Sequence, residues 1–372
     1  MFRAAIGQSI LSYSDDPSFF PPSVYSSYDI VDPSFAIDST VGYRSGSFSI
    51  RTNRYMAEYL IGSLGSDVII SNNLGIQVWE GMIDKVSVSL GNLTIGAGPV
   101  SEISNKIKVR YTEYDWGVAP VVPEEVETQW MYSYDSIARW GTLEEYISLG
   151  REMSPGEMAR IVPDIRQSKS RPKIYRDVAT SGNRGNVYNV TFECIGYHFL
   201  LNKSYFAIYD GGTWNIGDAM RYILQQIPLL GTSGIMDIDQ TVGKFTGEYG
   251  DPPETVSDVI NEYITTLHSE SGYGFVFGVY EGRQVTFREL VKPGHADYII
   301  SPHSGRLLDM YGNAITNIPR PGEWVSTQSV YIPQYNNDLV DSVFPISAIE
   351  FDGSGEIRIN EIVRSYLASN TI

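Results

Sequence analysis

The residues of this chain whose types could do chemistry are few: four histidines, His198, His268, His295 and His303, one cysteine, Cys194, and some closely spaced carboxylates. A zinc centre needs three or four such ligands to converge, and neither an HExxH segment nor a paired Cys/His spacing is present. His295 and His303 flank Asp297 and Pro302 and read as loop residues. A glycosidase needs two carboxylates across a cleft. Glu144 with Glu145, and Asp251 with Glu254, are the candidates, and both pairs read better as acids at helix starts, where they complement the macrodipole. Asp237-x-Asp239-x-Thr241 with Glu248 at the twelfth place has the outline of a calcium loop, but its glycine, Gly243, falls at the seventh position where the turn needs it at the sixth. Gly211-Gly212 and Gly272-Tyr273-Gly274 lack the GxxxxGK spacing of a phosphate loop and read as turns. Cys194, within the strand-like run Phe192–Ile195, reads as a small buried hydrophobe. These residues predict no enzyme, no metal site and no cofactor.

Composition narrows the remaining classes. A chain of 372 residues with 42% hydrophobic side chains can bury several cores. A net charge of −17 argues against clamping a phosphate backbone, which needs clustered Lys and Arg. A single cysteine leaves no intrachain disulfide, so packing and contact with other chains must supply stability. The start, MFRAAIGQSILSY, lacks the pattern of a signal peptide, and no window reaches the 18 apolar residues of a membrane helix. Synthesis in a cytoplasm without membrane insertion is expected. The 26 Tyr and 35 Gly, with strands bounded by turn residues, argue for an α+β, predominantly antiparallel β protein.

The elements that must position these residues are mostly strands. From Asn72 to Trp116 the chain alternates apolar and polar residues: a short run around Val78 and Trp79 interrupted at Glu80-Gly81, then Ile83 to Leu90 through Val86 and Val88, then Leu93–Ile95, then Ile107, Val109 and Tyr111. The proline-rich start reads as an extended arm. Arg54 to Leu64 predicts a short helix with Tyr55, Met56, Tyr59, Leu60 and Ser63 on one stripe and Gly65 as its stop. A helical region follows residue 123, with capping boxes at Thr142–Glu145 and Ser154–Glu157; the second leads an apolar face of Met158, Ile161 and Val162. Gln167 to Lys173 is a basic turn. Asn186 to Tyr197 reads as a strand. Asn215 caps a helix carrying Ile216, Met220, Ile223, Leu224 and Ile227, and Val256, Val259, Ile260, Tyr263, Ile264 and Leu267 form the stripe of another. Hairpins are predicted over 274–290 and 346–362.

The order VWEGMIDKV, a glycine-proline loop, NKIKVRYT, YDSIARWGTLEEYIS and a strand ending in CIGY, followed by two helices and a hairpin, resembles the baseplate-hub or tail-tip proteins of tailed bacteriophages over about residues 40–330. The resemblance implies tube-type β-barrel domains with helical insertions: 1–115 as a barrel domain with an arm, 116–178 as a helical insertion or linker, 179–345 as a second α+β domain, and 346–372 as a C-terminal hairpin. It implies a structural virion protein, a homotrimeric ring that continues and closes the distal end of the tail tube and frames the DNA-ejection channel. Its partners would be the distal tail ring, the tape measure and tip or fibre proteins, with DNA passing transiently. A hexameric tube-adaptor ring and a host-receptor, glycan-binding module are the alternatives. Because interfaces favour large aromatics, Trp79, Tyr111, Trp116 and Trp140 are the assembly candidates. The loop from Gly91 to Ser104 is the expected reach toward a neighbour, and the excess of Asp and Glu is expected to face the channel.

Overall fold

The computed structural model describes residues 2–7, 25–114, 123–178, 187–206, 213–225, 227, 230, 236–238, 244–246, 254–266, 273–301, 303–304, 306–315, 317–326, 343–352 and 357–361. Antiparallel pairing dominates them. The main sheet uses β1 (Arg3–Ile6), β2 (Ser26–Asp29), β3 (Val31–Asp38), β4 (Gly42–Thr52), β5 (Asp67–Ser71), β6 (Gln77–Leu90) and β7 (Leu93–Ala97). Two later strands, β12 (Ile174–Val178) and β13 (Tyr188–Ile195), complete its central part. Strand β6 is its spine: β13 pairs along one edge, while β5 and β7 share the other, β5 at the start of β6 and β7 at its end. Outward from β5 come β1 and β2, and outward from β13 come β4, β3 and the hairpin Val343–Phe351/Ile357–Glu361.

The sheet curls about an apolar inner face. Ala4, Ile70, Trp79, Phe192, Phe48 and Phe35 all lie on it and are buried. Phe2, just before β1, reaches across to Phe35 and Phe351, at ring-centroid distances of 6.3 and 5.0 Å. Among the described residues no ladder joins the two ends of the sheet, so the expected closed barrel is replaced by an open, curled sheet.

The expected interruption at Glu80-Gly81 does not occur. Gly81 lets β13 approach, since a Cβ there would stand 2.3 Å from the Ile195 carbonyl oxygen. Glu80 Oε2 accepts hydrogen bonds from Gln77 Nε2 and the Gly282 backbone N–H, both at 2.8 Å. The irregularity lies at Asp84 instead. Cys194 pairs with Ile83 and Phe192 with Val86, so β6 spends one extra residue there, a β-bulge. Asp84 is held by the Ser101 N–H on its Oδ1 (2.7 Å) and the Val100 N–H on its carbonyl (3.0 Å).

A smaller sheet surrounds β8 (Lys106–Glu113): antiparallel β9 (Glu124–Glu127) and β10 (Met131–Tyr132), and parallel β11 (Glu144–Met153). The helix expected from Thr142 is therefore a strand. Ile147, Leu149 and Met153 supply apolar side chains to the core of this sheet, and that period-two pattern outweighs the Thr–Glu spacing. Buried Asn105 fixes the entry to β11: its Oδ1 accepts the Leu143 N–H (2.8 Å) and its Nδ2 donates to the Gly141 carbonyl (2.7 Å). The short helix α2 (Tyr134–Trp140) precedes it.

Helix α3 (Pro155–Lys169) packs Met158, Ile161 and Val162 on this sheet, and its capping box is complete: Ser154 Oγ accepts from the Glu157 N–H and Glu157 Oε2 from the Ser154 N–H. It runs through Lys169, so the first part of the expected basic turn is helical. Ser154→Ala is expected to lower stability by about 1 kcal/mol in urea denaturation.

The stripe of α1 (Arg54–Leu60) is rotated from its expected position. Ala57 and Leu60 are buried, whereas Tyr55, Met56 and Tyr59 face outward. Helix α4 (Ile216–Gln225) buries its expected face, and α5 (Val256–Thr266) buries Val256, Val259, Ile260 and Tyr263 of its stripe with Ile264 half-buried, Leu267 lying outside the described residues; the Gly217 N–H donates to Asn215 Oδ1 at 2.9 Å. The hairpin Phe275–Val279/Val285–Glu289 attaches to the β3–β4 turn through the Phe277 and Val279 N–H groups, which donate to the Ser39 and Val41 carbonyls at 2.9 and 3.1 Å.

Candidate assembly surface

Directly paired residues of a sheet point to one face. The registers of β6, β7 and β12 place Val86, Ala97 and Ile174 in one row, Val88, Ile95 and Arg176 in the next, and Leu90, Leu93 and Val178 in the last. This is the same face that carries Phe192 and Val190 on β13. The apolar lining of the core therefore continues along the end of β6 onto a three-stranded arm, and there it loses its cover. Val86 is fully buried, Val88 and Ile95 are half-buried, Leu93 is 41% exposed, and Ile174 and Val178 are each 73% exposed. Gly96 permits this arm, because a Cβ at that position would meet the Tyr175 ring at 2.2 Å. Among the described residues β12 pairs only with β7, which leaves its outer edge open to a further strand or chain.

The opposite face of the sheet is hydroxyl-rich. Ser34 pairs with Ser47 (2.8 Å), Ser49 with Thr191 (2.9 Å) and Ser89 with Thr94 (2.8 Å) through their side-chain oxygens. A second apolar patch lies on α1, which connects β4 to β5 past β13 and presents Tyr55 (84% exposed) and Tyr59 (65%) outward.

The aromatic residues expected to make contacts sit elsewhere. Trp79 is buried completely on the inner face, with Tyr43 beside it at 6.1 Å between ring centroids. Trp140 is buried in the same core, and Tyr111 in the core of the smaller sheet, where its hydroxyl donates to Glu113 at 3.1 Å. These three are interior residues because each lies on the covered side of its element. Trp116 lies outside the described residues. Of the loop Gly91 to Ser104 the Gly91–Leu93 tip and Glu102 are exposed; Ile103 and Ser104 are buried, and the Ser104 N–H donates to the Lys169 carbonyl at 2.9 Å. Sequence reasoning missed the exposed surface at Leu93, Ile174 and Val178; the alternation of Leu93, Ile95 and Ala97 along β7 is its local signal.

The residues weighed for chemistry are dispersed or engaged. Glu144 accepts from Lys106 Nζ (2.5 Å) and the Tyr205 N–H (3.0 Å), and Glu145 accepts from Lys169 Nζ (2.8 Å). His198 is largely buried, its Nδ1 donates to the Tyr43 carbonyl (3.0 Å), and burial holds its pKa below the usual histidine range. Cys194 is buried and its thiol is pushed up by desolvation, which suppresses the reactive thiolate. His268, Asp251 and the calcium-like residues Asp239, Thr241, Gly243 and Glu248 lie outside the described residues. Among the described residues no three His, Cys, Asp or Glu gather as a metal site.

No protein-family model and no curated protein matches this sequence. Among the solved structures that align with this chain, two are aligned over most of its length. One is the 43 kDa tail protein of prophage MuSo2 from Shewanella oneidensis, 8% identical, with a TM-score of 0.42 over 91% of this chain and 94% of that one. The other is a tail protein from Neisseria meningitidis MC58, 9% identical, with a TM-score of 0.38 over 94% of this chain and 91% of that one.

Proposed function

We propose that this chain is a structural virion protein of a bacteriophage tail tip, a baseplate hub built as a homotrimeric ring that closes the distal end of the tail tube and frames the DNA-ejection channel. The observation that carries this reading is the β6–β7–β12 arm. A strand edge that has no partner among the described residues and carries two β-branched residues at 73% exposure is a liability for an isolated molecule and an asset for a subunit. Covering Ile174 and Val178 with a neighbour would contribute about 1.5 to 3 kcal/mol for each side chain fully buried. The outward tyrosines of α1 suit the same role, since interface cores are enriched in Tyr. The order of motifs along the sequence supports the tail-tip assignment. The distal tail ring, tape measure and fibre proteins would be its neighbours, and the excess of carboxylates would line the passage and repel phosphates within about a Debye length.

Native mass spectrometry of the purified chain tests the copy number, and cryo-electron microscopy of intact particles tests the location. Three copies at the distal end of the tube are expected. Six copies would favour a tube-adaptor ring, and a monomer that retains glycans would favour a receptor-binding module. The double change Ile174→Asp, Val178→Asp is expected to convert the ring to monomers with an unchanged far-UV circular dichroism spectrum. A variant that still assembles would show that the arm is not the contact.

A further inference from the structure

One concave site runs against the charge of the whole molecule. Between the end of α3, the β7–β8 loop and the turn after β13, a cavity of about 400 Å³ is lined by Lys169, Arg171, Lys173 and Lys203, with Ser101 and Glu102 beside them. Two carboxylates answer these four cations: Glu102 accepts from Lys173 at 2.9 Å, and Glu145 accepts from Lys169 at 2.8 Å. Among the described residues, Arg171 and Lys203 are left without a carboxylate of their own, and the four cations exceed the two carboxylates by two charges. In a chain of net charge −17 that surplus needs an explanation.

Complementing the C-terminal carbonyls of α3 accounts for Lys169 and its sequence neighbours. It does not account for Lys203, which arrives from a separate segment of the fold. Its Nζ donates to Ser104 Oγ at 3.0 Å, and burial, together with the charge of Lys169, holds its pKa below the usual lysine range. An ammonium group has three N–H donors, and Ser104 uses one. Arg171 is exposed and forms no ion pair among the described residues, so its planar fork is available to an oxyanion in the bidentate geometry that guanidinium favours.

We propose that this pocket binds a phosphate-type oxyanion, either free or carried by a small ligand. The charge of a phosphate dianion equals the two uncompensated positive charges, and its oxygens offer acceptors to Arg171 and Lys203 together. The cavity exceeds one phosphate in volume, which leaves space for an attached group. A bound anion would also relieve the repulsion between Lys169 and Lys203.

The test is isothermal titration calorimetry on the full chain at low ionic strength, with inorganic phosphate and glycerol 3-phosphate as probes and chloride as the control. Saturable binding of one phosphate group per chain is expected, and chloride should give none. Tighter binding of glycerol 3-phosphate would identify a carried phosphate, and equal binding a free oxyanion. Arg171→Ala should weaken binding by about tenfold through the loss of one charge-assisted contact, and Lys173→Ala by about as much because it leaves the Glu102 carboxylate uncompensated beside the anion. Both positions are exposed, so thermal midpoints without ligand should stay near that of the parent. Absence of saturable binding for both probes, or affinities that both variants leave unchanged, would overturn the proposal.

Discussion

Replacing Trp79 by alanine is expected to destabilise the chain by about 3 to 5 kcal/mol, read from the midpoint of urea denaturation. Trp79 is fully buried on the inner face of β6, and its ring lies against Gly46, where an added Cβ would sit 3.3 Å from the indole carbons. Removing the ring opens a void between β6 and β4 that Tyr43, already packed against it, cannot fill without leaving the buried site it occupies. Trp79→Phe provides the contrast. The indole Nε1 has no hydrogen-bond partner among the described residues, so phenylalanine removes an unsatisfied donor while keeping most of the ring, and its cost should be much smaller. Equal losses for the two variants would contradict the packing argument. Because Trp79 lies inside the chain, its loss should impair assembly through folding and leave the arm's contact chemistry untouched.

The second large effect is one of pH. Asp67 is buried at the start of β5, paired with Met82 of β6, with its Oδ1 accepting the Tyr197 hydroxyl at 2.5 Å, and desolvation pushes its pKa up to about 7 despite that hydrogen bond and the nearby Arg283; Glu80 adds to the rise. An unfolded aspartate titrates near pH 3.9. Below that value both states hold the proton and the site contributes its full stability. As pH rises from about 4 to 7 the unfolded state ionises first, so stability falls by roughly 1.4 kcal/mol per pH unit. Above the folded pKa the loss is complete. Asp67→Asn keeps an acceptor for Tyr197 and removes the titration. It should flatten this dependence and make the variant more stable than the parent at pH 8. Denaturation midpoints at pH 4, 6 and 8 measure it, and parallel profiles for the two proteins would refute the assignment.

Local chemistry was readable where one signal acted alone. Ser154-Pro155-Gly156-Glu157 combines a cap, a first-turn proline and a reciprocal acid, and it forms the predicted helix start. The apolar stripes of α4 and α5 were equally direct, as was the buried state of Cys194. Prediction failed where tertiary partners decided between two signals. Thr142 and Glu145 have the spacing of a cap, but Asn105, which lies far from them in sequence, holds Leu143 in the extended form. Tyr55, Met56 and Tyr59 have helical periodicity, and so do Ala57 and Leu60; which stripe turns inward depends on β13, where small Ala57 allows close approach. Trp79, Tyr111 and Trp140 are interior for a related reason. Large rings serve cores and interfaces equally well, and composition cannot separate the two. The arm was hidden because Leu93 and Val178 become neighbours only when β12, encoded 77 residues beyond the end of β7, returns to pair with it.

The bulge at Asp84 has a consequence for how β6 can change over generations. Trp79 and Ile83 stand at odd positions and Val86, Val88 and Leu90 at even ones, yet all five share the inner face because one residue between them is uncounted by the partner strand. The strand thus behaves like a message with a phase as well as letters. Side chains along it can be exchanged one at a time for others of similar size, each at a modest cost. Loss of a single residue between Ile83 and Val86 would remove the bulge and leave Val86, Val88 and Leu90 inward, whereas loss of one residue from the regular stretch after Val86 would invert the phase downstream of it, turning the apolar arm residues there outward and the hydroxyls inward. Length parity in the regular stretches of β6 on either side of the bulge is inherited information, and an insertion or deletion there should be selected against far more strongly than a substitution.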